Sequence, residues 1–112
     1  MTGPTPAFAI QESRADGWLR LSLSGELDLT VAPKLEAHLT RLRATMSPVR
    51  LDLSMLEFID STGLHLLIRT VGDARIKRWR FVIEPELTPQ VLGLFKLVRL
   101  DQFILSADSA RH

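Results

Sequence analysis

The stretch best equipped for chemistry is Asp60-Ser61-Thr62-Gly63, a polar cluster set where an apolar strand hands over to a helix. Such junctions collect function in open α/β sheets. Free backbone N–H groups and the positive end of the helix dipole point outward there, so a carboxylate, or a phosphate carried by a hydroxyl, is stabilised. Ser61 is placed to accept a phosphoryl group. The competing structural role is capping, because Asp, Ser and Thr are the preferred first residues of helices.

Other reactions fit this cluster poorly. Ile59-Asp60-Ser61-Thr62-Gly63 lacks the first glycine of a G-x-S-x-G nucleophile elbow. A triad would also need a base, yet His38 and His65 fall on predicted outer helix faces and His112 is the final residue. An aspartic-protease reading needs Gly directly after Asp-Ser or Asp-Thr and two copies of the motif. Here Thr62 intervenes and there is one copy. A phospho-aspartate receiver would place its acceptor at Asp60 and a divalent cation beside it, with Glu26 and Asp28 as the acids within call. No late-sheet basic partner accompanies them near Phe81–Ile83 or Phe103–Leu105.

Two further segments stand out. Gly25-Glu26-Leu27-Asp28 makes an exposed polar turn after a strand. Arg75, Lys77, Arg78 and Arg80 surround Trp79, which reads as a solvated turn with a covering indole, or as a surface for a nucleotide, RNA or an acidic partner.

The elements that must position these residues are legible from periodicity. Ala7–Ile10 and Trp18–Ser24 form an antiparallel hairpin across a polar connection ending in Asp16-Gly17, with Leu19, Leu21 and Leu23 alternating inward. Ala32, Leu35, Leu39, Leu42 and Met46 make a helical stripe, with Thr30 as its cap and Pro33 in its first turn. Val49, Leu51 and Leu53 alternate as a strand, and Phe58 and Ile59 carry apolar character to Asp60. The next helix buries Leu64, Leu67, Ile68, Val71 and Ala74 and pairs Arg69 with Asp73 on its outer face. Phe81–Ile83 is a short strand. Thr88-Pro89 opens a helix with Val91, Leu92, Phe95 and Val98, and Phe103–Leu105 offers a last strand. Strands alternating with helices imply parallel neighbours, so the fold class is α/β with a mixed sheet of four or five strands.

At 112 residues the chain is expected to form one domain over 7–105, with flexible segments at 1–6 and 106–112. Fourteen Lys plus Arg against thirteen Asp plus Glu leave a charge of +1, which points to a protein client rather than nucleic acid. Cysteine is absent, removing disulfides, thiolate nucleophiles and cysteine metal sites. No apolar run approaches about 18 residues and the first residues lack a signal-peptide pattern, so no membrane contact and a cytoplasmic location are expected.

Taken together, Gly25-Glu26-Leu27-Asp28 and the run Leu51-Asp52-Leu53-Ser54 through Phe58-Ile59-Asp60-Ser61-Thr62-Gly63-Leu64 make the chain resemble the STAS-domain anti-sigma-factor antagonists of bacteria, from about Ala7 to Leu105. The resemblance implies a STAS fold, a hairpin-led mixed sheet flanked by three to four helices, acting in partner switching that controls transcription. It implies that Ser61, with Thr62 as a weaker second candidate, is phosphorylated by an anti-sigma factor with serine kinase activity and restored by a phosphatase. The unphosphorylated form would bind the kinase and free a sigma factor. Asp28, Asp60, Ser61, Thr62, Gly63 and His65 would form the partner surface of a monomer without catalytic activity, cofactor or metal, ATP and Mg belonging to the kinase. His65 stands where relatives usually carry glycine, and Phe95–Asp101 lacks the glycine that commonly precedes the final leucine and acid. The alternative is a STAS scaffold or regulatory subunit of a stressosome-like or lipid-transport complex, in which Ser61 stays unmodified; a third reading keeps Asp60 as a phosphoryl carrier.

Overall fold

The computed structural model describes residues 8–104. The expected terminal segments 1–6 and 106–112, together with Ala7 of the expected first strand and Leu105 of the expected last one, lie outside the described residues. The chain opens with β1 (Ala9–Ala15) and β2 (Trp18–Leu27), joined by Asp16 and Gly17 at φ 55° and 81°. Two successive positive φ values are what a two-residue hairpin turn of matching twist requires, and Asp-Gly supplies them. Gln11–Ala15, expected as a connection, belongs to β1 instead. As an edge strand it faces water on most sides, so backbone pairing orders it without an alternating apolar signal.

Next come α1 (Ala32–Ala44), β3 (Val49–Ile59), α2 (Ser61–Lys77), β4 (Phe81–Ile83), α3 (Pro89–Leu97) and a 3-10 turn over Leu100–Phe103. The sheet order is β1-β2-β3-β4, antiparallel in the first pair and parallel in the other two. This is an α/β fold with four strands and three helices among the described residues. The expected final strand is reduced to a single parallel bridge between Ile104 and Ile83, with Phe103 in the 3-10 turn.

β3 is longer than its alternation suggests because it carries two bulges. Against β2 its register gains one residue between Asp52 and Met55 and another between Leu56 and Phe58. Each extra residue shifts the inward phase, so burial falls on Val49, Leu51, Leu53, then Leu56 and Ile59.

The helices show where local pattern misleads. Met46, expected in the α1 stripe, lies beyond it at φ 55°, where Met46 N–H donates to Arg43 and Ser47 N–H to Leu42, closing the helix end. Thr30 does not cap α1; its hydroxyl donates to Asp28 and Val31 takes the cap position. Along α2 the buried residues are Gly63, Leu66, Leu67, Thr70, Val71 and Ala74, so Leu64 is only half-buried and Ile68 is exposed. Arg69 reaches Glu36 at 3.6 Å and Asp73 accepts from Arg43 at 2.6 Å; both pair with α1 rather than with each other. Thr88 and Pro89 do open α3, though the Thr88 hydroxyl donates to the Leu56 carbonyl of bulged β3 at 3.1 Å. Val91 and Phe95 are buried as expected, whereas Leu92 is half-buried and Val98 exposed. Arg99, at the position of the missing family glycine, adopts φ 63°, the left-handed conformation glycine adopts freely.

One apolar core joins the inward residues of β2 and β3 to α1, α2 and α3. His38 and Glu12 tie α1 to β1 at 2.7 Å, and Arg41 also binds Glu12. Partial burial pushes the Glu12 carboxyl up, but the His38 hydrogen bond and the Arg41 charge outweigh it and hold the group below its ordinary value.

Candidate functional site

At the carboxyl ends of β2 and β3 the two motifs, far apart in sequence, become one surface. Asp60 takes an extended conformation between β3 and α2, and its Oδ1 accepts the Gly63 N–H at 2.9 Å. Its Oδ2 accepts the Leu29 N–H at 2.9 Å, and its own N–H donates to the Leu27 carbonyl at 3.0 Å. One carboxylate therefore caps α2 and clasps the turn after β2.

The turn itself is organised by Asp28. Its Oδ1 accepts the Thr30 N–H at 3.0 Å and the Thr30 hydroxyl at 2.6 Å, while its carbonyl accepts from Val31 and Ala32. The Thr30 hydroxyl, opposed by slight desolvation and helped by backbone N–H groups, holds the Asp28 carboxyl below its ordinary value. Asp28 is thus ionised at neutral pH and fixed in direction.

Gly63 is dictated by packing. A Cβ there would lie 2.6 Å from Leu27 Cγ and 3.1 Å from Ile59 Cγ1. Its absence lets the first turn of α2 settle onto the ends of β2 and β3, and this close approach turns Ile68 outward.

Ser61, the first residue of α2, is exposed; Thr62 is half-buried and Gly63 buried. The N–H groups of Ser61 and Thr62 precede the first intrahelical bond, which runs from Leu64 to the Asp60 carbonyl at 2.9 Å. His65 and Ile68 follow Ser61 at four and seven residues along one exposed helix face. Sequence reasoning missed the apolar members of this surface: Leu29 is 66% exposed and Ile68 38%. Leu29 could have been flagged, since an apolar residue between Asp28 and Thr30 belongs to no stripe. Ile68 could not, because its spacing suits the core.

Glu26 is exposed and Asp28 is turned to Thr30, and among the described residues no three acidic or histidine side chains converge on a cation-sized space. With both Asp60 oxygens accepting backbone N–H groups, the arrangement suits capping and presentation of Ser61 better than receiver chemistry at Asp60. No helix among the described residues is long and apolar enough to cross a membrane.

Comparison with known proteins bears on this surface. A family model described as "Mlab, STAS domain" matches residues 10–106. No curated protein sequence matches the chain. The chain is similar to the crystal structure of an anti-sigma factor antagonist from Mycobacterium paratuberculosis, at 27% identity and a TM-score of 0.79 over 98% of this chain and 95% of that one. It is similar in fold to the anti-sigma factor antagonist SpoIIAA in its unphosphorylated form, at 19% identity and a TM-score of 0.74 over 91% and 92% of the two chains. The Bacillus cell fate determinant SpoIIAA in its phosphorylated form gives 18% identity and a TM-score of 0.69 over 93% and 96%.

Proposed function

The chain belongs to the STAS-domain family, and from that premise we propose that it is an anti-sigma-factor antagonist whose binding is controlled by phosphorylation of Ser61. The observation that carries the proposal is the exposed Ser61 hydroxyl on a first helical turn whose neighbouring polar groups are already held within the fold. A phosphate there adds about −1.5 to −2 charge and three acceptor oxygens beside the N–H groups of Ser61 and Thr62. Asp60 is anchored by Gly63 and Leu29, so the added charge acts outward, on the partner.

In this reading the partner is an anti-sigma factor with serine kinase activity. It engages Leu29, Ser61, His65 and Ile68 when Ser61 is unmodified, with Asp28 at the rim. Phosphorylation places a hydrated group of about −1.5 to −2 charge in a contact that includes the apolar Leu29 and Ile68, and its desolvation opposes binding. ATP and Mg are supplied by the kinase, and a phosphatase resets the switch. Ser61 is the preferred acceptor over Thr62 because it is the more exposed. The resemblance to the Mycobacterium antagonist and the two recorded states of SpoIIAA support the reading.

A second reading, an unmodified scaffold or regulatory subunit of a stressosome-like or lipid-transport complex, starts from the same STAS-domain membership. Intact mass and phosphopeptide mapping of the protein from its native cells separate the two. Acid-stable phosphate on Ser61 supports the switch, no modification supports the subunit, and acid-labile phosphate on Asp60 overturns both. Capture of partners with Ser61→Ala and Ser61→Asp then tests switching: Ser61→Ala retains the kinase, while Ser61→Asp loses about tenfold, or about 1.4 kcal/mol. Asp28→Asn keeps an acceptor for Thr30 while removing the charge, so weaker capture by that variant assigns the charge to the contact.

A further inference from the structure

The basic run from Arg75 to Arg80 plays no part around Ser61, and the fold takes it apart. Arg78 enters the left-handed region at φ 57° and the chain reverses there, Trp79 N–H donating to the Ala74 carbonyl at 2.9 Å. Trp79 turns inward, 4% exposed, with its indole Nε1 donating to the Ser47 carbonyl at 2.6 Å. Arg80 emerges on the surface, and its guanidinium carbon lies 4.5 Å from the centre of a different indole, that of Trp18. Arg50 joins it from β3, 5.2 Å from the same ring.

Trp18 opens β2, Arg50 is the second residue of β3 and Arg80 immediately precedes β4. All three therefore sit at the amino ends of the parallel strands, whereas Ser61 follows the carboxyl end of β3. The two surfaces lie at opposite ends of the sheet.

Among the described residues the charge gathered on Trp18 has no ion-pair partner. Arg20, the register neighbour of Arg50, pairs with Glu84 at 3.0 Å, and Glu12, Glu36 and Asp73 serve other cations. Among the described residues neither Arg50 nor Arg80 forms an ion pair, and Arg50 Nε is the buried side-chain nitrogen left without an acceptor. Stacking on one ring is what the two like charges share; exposed Arg80 presents its donors to an incoming anion, and half-buried Arg50, its Nε enclosed, adds its charge beside them.

We propose that the Trp18, Arg50 and Arg80 cluster docks an acidic segment of a protein partner, through carboxylates bridged by the two guanidinium groups. Arg and Trp are the residue types on which protein–protein affinity concentrates, and the guanidinium fork matches a carboxylate in plane and spacing. A nucleic acid would call for a row of cations along its backbone and a larger net charge than +1. A partner held here leaves the surface around Ser61 free for a second one.

The test is a fluorescence-anisotropy titration of a labelled hexaglutamate peptide with the full chain at low, fixed salt, folding being checked by circular dichroism. Saturable binding is expected, weakened about tenfold or more by the double substitution Arg50→Gln and Arg80→Gln. Arg75→Gln with Lys77→Gln removes the same charge from the neighbouring run, where Arg75 stacks on Phe103, and should change affinity by less than about twofold. If the Arg50 variant fails to fold, the exposed Arg80→Gln alone serves, with a loss of about threefold expected. Equal weakening by both double variants, or no saturable binding, overturns the site. Tighter, Arg80-dependent binding of a single-stranded oligothymidylate overturns the choice of partner in favour of nucleic acid.

Discussion

At the carboxyl ends of β2 and β3, Asp60 accepts two backbone N–H groups, Asp28 accepts two donors of Thr30, and Gly63 lets a helix touch Leu27. At the amino ends of the same strands, Arg50 and Arg80 lie on Trp18 without a counter-ion among the described residues. The difference lies in what holds each surface. The first is held by directional hydrogen bonds and close packing, so in the proposed switch a change of charge at Ser61 alters binding without altering shape. The second is held by stacking and exposure, so the proposed docking there depends on charge and salt while the fold depends on it little.

If that contrast is right, substitutions at the first end should disturb folding more than substitutions at the second. The largest effect is expected at Gly63→Ala, where the new Cβ meets Leu27 and Ile59. Overpacking of this kind costs about 1–3 kcal/mol, read as a lower midpoint in urea unfolding. Gly72→Ala is the control, since a Cβ there meets nothing within 4 Å, and it should stabilise α2 by about 0.5–1 kcal/mol. Equal midpoints for the two variants would dissolve the close-approach argument.

Asp60→Ala comes next, at about 0.5–2 kcal/mol, because the α2 cap and the clasp on Leu29 go together. Faster amide hydrogen exchange at both Gly63 and Leu29 is the specific signature; a change at Gly63 alone would show that Asp60 caps without clasping.

At the other end, Arg80→Gln should cost no more than about 0.5–1 kcal/mol, the range of an exposed cation–π contact. A loss matching that of Asp60→Ala would mean the basic end is structural after all.

The smallest effect sharpens the account of Asp28. Because its carboxyl lies below the ordinary value, its stabilising contribution is present above that value and is lost as pH falls through the folded one. Thr30→Val removes the hydroxyl donor and should move the Asp28 titration up, toward the ordinary carboxylate range, in a carboxyl 13C NMR titration. An unmoved titration would transfer the effect to the backbone donors.

Much of this is legible in the sequence. Asp16-Gly17, the Pro33 and Pro89 helix starts and the α1 stripe through Leu42 all depend on contacts within a turn or two, and they are where the pattern places them. The Asp60 cap belongs to the same class, since its carboxylate and the Gly63 N–H lie three residues apart. Ile68 is different. Its spacing fits a buried stripe, yet Gly63, outside that stripe, is buried against Leu27 and Ile59 while Ile68 is exposed.

The sequence alone determined the order of strands and helices from β1 to α3, the resemblance and the place of Ser61 at a strand-to-helix junction, because turn, cap and amphipathic signals are set by neighbours a few residues away. Tertiary structure decided which groups meet across the chain. Asp60 reaching Leu29, Arg69 choosing Glu36 over Asp73, the two bulges that rephase β3, and Arg50 joining Arg80 on Trp18 all depend on how separate elements are packed. Local periodicity carries no term for such meetings, since a side chain at a helix or strand surface can pair with any element the fold brings alongside it.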